Sequence, residues 1–108
     1  MTTWFSCRTA ELVGLPAERL ADPGTLAALV IAAAGATGIT TDGPPVVRGG
    51  LAGAAVGVVG VDGHILLHTA PSLGTCIVDI VVRAPRQADR ALDVIARRLG
   101  ARPADLDA

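Results

Sequence analysis

The 108-residue chain has no lysine and no tyrosine, and Trp4 and Phe5 are its whole aromatic inventory. It therefore offers almost no rings on which nucleobases or planar ligands could stack. Its nine basic residues are all arginine, ten acids leave a formal charge of −1, and no cluster of one sign occurs. The electrostatic footprint of a nucleic-acid binder is missing. Apolar runs stay short of the roughly 18 residues a membrane span needs. The start, Met1 to Arg8, has neither a basic lead nor a long apolar core, so no secretory signal is expected and the cytoplasm is the expected compartment. Two cysteines, Cys7 and Cys76, lack metal-ligand spacing and are expected as free thiols. Glycines 49, 50, 53, 57 and 60 form no phosphate-binding fingerprint, because no helix follows them.

What is present is a hydrophobic fraction of 51% against 18% charged, which excludes a disordered chain and fits one domain over residues 1–108. A first strand is expected at Thr3 to Cys7. Asp22-Pro23-Gly24-Thr25 opens an alanine-rich helix, Leu26 to Ala34, which Gly35 is expected to end. Ala36 to Thr41 reads as a strand and residues 42–53 as a mobile loop. Ala54 to Val61 and His64 to Thr69 flank Asp62-Gly63, a strong hairpin signal, so the two runs should pair antiparallel. Thr75 to Arg83 is rich in Ile and Val and reads as another strand. Arg86 to Leu99 carries Ala88, Ala91, Leu92, Ile95 and Leu99 at helical spacing, with Asp93 four residues before Arg97 on the wet side.

These elements predict an α+β two-layer sandwich, a mainly antiparallel sheet with helices on one face. Val56 and Val58 point one way while Val59 and Val61 point the other, and Thr75 to Val82 is apolar on both sides. Two helices shield one face, so the other is expected to meet a partner: a second copy of the chain, or a related chain in a heterodimer.

Gly53 to Ala84 resembles the core of the bacterial S-adenosylmethionine decarboxylase family. Gly53, His64, His68, Thr69, Pro71, Gly74, Val78 and Asp79 fall without gaps on a pattern that contains E-S-H-x-x-x-H-T-W-P-E-x-G-x-x-x-V-D. Members of that family cut themselves before the serine and convert it into a pyruvoyl cofactor, whose ketone is the electron sink for decarboxylation. The resemblance places Gly63 at that serine, Asp62 at the preceding glutamate, Ala55 at the serine that assists cleavage and Arg83 at the proton-donating cysteine. Ala70 and Ser72 replace the tryptophan and the second glutamate. Glycine has no hydroxyl to attack the preceding carbonyl, so self-cleavage and pyruvoyl formation are closed, and no cofactor is expected.

What the resemblance leaves is His68, the family's proton-transfer residue in processing. His68 and Asp62 are the candidate acid/base groups, although Asp62-Gly63 reads first as hairpin turn chemistry and His68 also as a polar residue satisfied at the sheet face or dimer interface. His64, Thr69, Asp79 and Arg83 are the candidate ligand-binding residues; Asp79 serves as well in a structural ion pair, and Arg83 as a solvated strand end. His64 and His68 on a strand lie roughly 13 Å apart, too far to share an ion, so no metal site is expected. The expected ligand is an S-adenosylmethionine-like or amino-acid-derived small molecule. The function expected is a repurposed, pyruvoyl-independent lyase or related enzyme; the alternative is a dead homologue serving as a regulatory or binding subunit.

Overall fold

The structure, a computed structural model, describes residues 4–101. Five strands form one sheet: β1 (Phe5–Leu12), β2 (Val46–Gly50), β3 (Gly53–Gly60), β4 (Gly63–Ala70) and β5 (Thr75–Arg83). Their order is β1-β5-β4-β3-β2, every neighbour antiparallel. Helices α1 (Ala17–Leu20), α2 (Pro23–Thr37) and α3 (Ala88–Leu99) lie on one face of that sheet. The α+β sandwich expected from the sequence is the architecture observed.

Local chemistry explains the helices. Asp22 caps α2, accepting from the Thr25 amide and hydroxyl at 3.4 and 2.7 Å, and Pro23 occupies the first turn, where its missing N–H costs nothing. Helix α2 is apolar nearly all round because it rests on β3 and β4 while α3 packs beside it. Helix α3 is amphipathic and buries Ala88, Ala91, Leu92, Ile95, Ala96 and Leu99. The core beneath them is Leu12, Ile65, Leu67, Val78, Ile80 and Val82, each at most 1% exposed.

Five sequence expectations change. The first strand begins at Phe5 and runs on to Leu12; the expected start at Thr3 lies outside the described residues. Gly35 does not end α2, because only Gly38 adopts the left-handed cap (φ 79°), and the Thr37 hydroxyl stays inside the helix by donating to the Ala33 and Ala34 carbonyls. The strand expected at Ala36 to Thr41 is therefore helix end and coil. Residues 42–53 are not a loop throughout, since Val46–Gly50 pairs with β3 as an edge strand. The hairpin also turns one residue earlier than expected: Gly60 pairs with Gly63, so Val61 and Asp62 form the turn and Gly63 already belongs to β4.

Candidate functional site

Alternation along the strands divides the predicted residues between two faces. On β4, Gly63, Ile65 and Leu67 are buried toward the helices, while His64, Leu66 and His68 face the uncovered side. Asp79, Val81 and Arg83 share that side on β5, and Phe5, Cys7 and Thr9 share it on β1. His64, Asp79 and Arg83 thus lie in one open-face patch.

Within this patch, hydrogen bonds join three strands. The His64 Nε2 lies 3.2 Å from Asp79 Oδ2, and the Thr9 hydroxyl donates to Asp79 Oδ1 at 2.9 Å. Neither His64 nor Asp79 is sealed from solvent, with side chains 32% and 44% exposed. Beside them the Arg83 guanidinium lies over the Phe5 ring, 5.6 Å from its centroid. The partners of Asp79 are therefore a histidine and a threonine.

His68 is exposed on the same face farther along β4, directly across from Ala55 on one side and Ile77 on the other. Among the described residues its ring makes no hydrogen bond, and its direct cross-strand neighbours are Ala55 and Ile77.

Two predicted residues stand elsewhere. Asp62 in the turn pairs with Arg86 at 3.4 Å, its side chain is only 17% exposed, and its carbonyl accepts from the Arg83 amide at 2.7 Å. Six residues separate it from His68, about 20 Å along an extended strand, so the two cannot act on one atom. Thr69 faces the helices: its hydroxyl donates to the Leu20 carbonyl at 2.8 Å and accepts from the Ala54 amide at 3.0 Å. These bonds hold α1 to the sheet and turn the Thr69 side chain away from the open face where His64, Asp79 and Arg83 stand.

Position 63 has no room for a side chain. A Cβ built there would lie 2.2 Å from the Val81 carbonyl oxygen and 2.9 Å from Val82 Cα, both backbone atoms of the paired strand. The S-adenosylmethionine decarboxylase family model matches residues 7–107. The chain belongs to the S-adenosylmethionine decarboxylase family. The crystal structure of the adenosylmethionine decarboxylase from Aquifex aeolicus VF5 is similar over 94% of this chain and 85% of that one, with a TM-score of 0.84 and 25% sequence identity. No curated protein matches. At residue 63, where the resemblance puts the family's serine, there is no hydroxyl and no room for a Cβ, so a pyruvoyl group does not fit there.

The cysteines serve different surroundings. Cys7 is exposed on the open face; Cys76 is buried under the helices, and burial pushes its thiol up to about 12. Opposite faces keep them from bonding to each other. Among the described residues, no group of three His, Cys, Asp or Glu side chains could hold a metal ion, and no helix is long and apolar enough to cross a membrane. Two surface cavities, about 440 and 420 Å³, lie on the helix side and include none of the predicted site residues.

Proposed function

We propose that this family member neither cuts itself nor makes a pyruvoyl group, and that it binds an amino-acid-derived or S-adenosylmethionine-like molecule on the open face of its sheet. The carrying observation is the patch that gathers His64 of β4 with Asp79 and Arg83 of β5 on one side of the sheet, beside Thr9 of β1. Arg83 offers a planar fork for a carboxylate, while Asp79 and His64 suit an amine or hydroxyl. His68 stands on the same face, farther along β4.

The proposed assembly is a dimer. Phe5, Val59, Leu66 and Ile77 are large apolar side chains between 36% and 60% exposed on strands whose open face no helix covers. A second copy laid on that face would cover them. It would also give the patch a second wall, which a flat sheet lacks and a small-molecule site needs.

Calorimetric titration of the purified chain with S-adenosylmethionine and with its decarboxylated product tests the reading. Saturable heat with either ligand, weakened by Asp79→Ala or His68→Ala, is the expected result. No heat for wild type with either would remove the family ligand.

A further inference from the structure

We infer that His64, and not His68, is the proton acceptor of the open face, with Asp79 and Thr9 as its positioning residues. This rests on the reading of that face as a ligand site, and it draws on a different observation: the Thr9–Asp79–His64 chain across β1, β5 and β4.

The carboxylate of Asp79 has two oxygens and each meets a different donor. Thr9 gives its hydroxyl proton to Oδ1, and the ring nitrogen facing Oδ2 is Nε2. A carboxylate only accepts, so Nε2 carries the hydrogen and, in the neutral ring, Nδ1 keeps its lone pair. The bare nitrogen is then held in one tautomer and one orientation. This is the arrangement by which a carboxylate makes a histidine an effective base.

The step this permits is a single proton transfer. A ligand ammonium or hydroxyl gives its proton to Nδ1, the N–H or O–H electron pair stays on the ligand atom, and the imidazolium formed faces the Asp79 carboxylate. The other groups that face His64 are Val81 on β5 and Val59 on β3, with Cys7 and Thr9 beyond on β1 and Arg83 two residues along β5. Val81 and Val59 offer the ring no competing hydrogen bond. His68 has no such support, because the two Asp79 oxygens are turned to Thr9 and His64.

Nitrogen-15 spectra of the ligand-free chain at about pH 9, above the ordinary imidazole range, separate the two histidines. The expected result is one fixed tautomer for His64, with Nε2 protonated and Nδ1 bare, and averaged signals for His68. Asp79→Ala should move the His64 signals to the averaged pattern, and Thr9→Val, which keeps the shape of the strand residue, should move them part of the way. Identical behaviour of the two histidines in wild type, or a His64 pattern unchanged by Asp79→Ala in a folded variant, would overturn the inference. Because no ligand is present, its failure is distinct from a failed titration.

Discussion

The helix-covered face of the sheet and its open face are built from the same strands, yet they are specified differently. On β4 the inward residues Ile65 and Leu67 are at most 1% exposed, whereas His64, Leu66 and His68 between and beside them are solvent-accessible. The inward side is constrained by volume, because a close-packed interior responds to the loss of single methylene groups. The outward side is constrained by chemistry: Thr9, Asp79 and His64 meet across three strands through two hydrogen bonds. Period-two alternation lets one strand satisfy both demands, and substitutions on the two faces should fail in different ways.

The largest effect is expected under the helices. Ile80→Ala leaves a cavity at a fully buried site and should cost roughly 2–5 kcal/mol in denaturant unfolding. Gly63→Ser comes next, because its Cβ meets backbone that cannot turn aside; overpacking should cost about 1–3 kcal/mol, and the variant should remain uncut. Thr69→Val removes the hydroxyl that joins Leu20 to β3 and β4, and about 1–3 kcal/mol should be lost with the ligand response intact.

On the open face the effects should move from folding to assembly. Leu66→Arg, at a residue already 36% exposed, should turn a dimer into a monomer by light scattering while secondary structure is retained. A wild-type chain that is itself a clean monomer would break this part of the comparison.

The smallest effect belongs to neither face. The Asp22 carboxyl at the start of α2 is held below its ordinary 3.8, chiefly by the Thr25 hydroxyl and amide. A lowered folded-state value means the cap stabilises above the unfolded value and is lost as the pH falls through the folded one. Thermal melts should therefore show Asp22→Ala less stable than wild type near neutrality, with the gap closing below about pH 4.

The core strands and α3 were legible in the sequence because their patterns are unambiguous: an Ile- and Val-rich run bounded by turn signals in residues 75–83, and helical spacing in 88–99. Residues 36–50 were not. Thr37 has weak helix propensity, but its hydroxyl finds carbonyls within α2, and β2 is a glycine-containing edge strand that gains its place from pairing with β3. At the site, spacing put His64 and Asp79 on faces but not in contact, since register between strands is not written in either strand alone. Asp79 of β5 lies opposite Leu66, and His64 reaches it diagonally. The alternation also held the clue that Thr69 and His68 point opposite ways, so a shared motif did not mean a shared pocket.

The proposed loss of self-cleavage rests on Gly63, which has no hydroxyl and no room for one. Intact-mass spectrometry of the purified chain tests it most directly. One uncut polypeptide is the predicted result, and two fragments that part between Asp62 and Gly63 would contradict it.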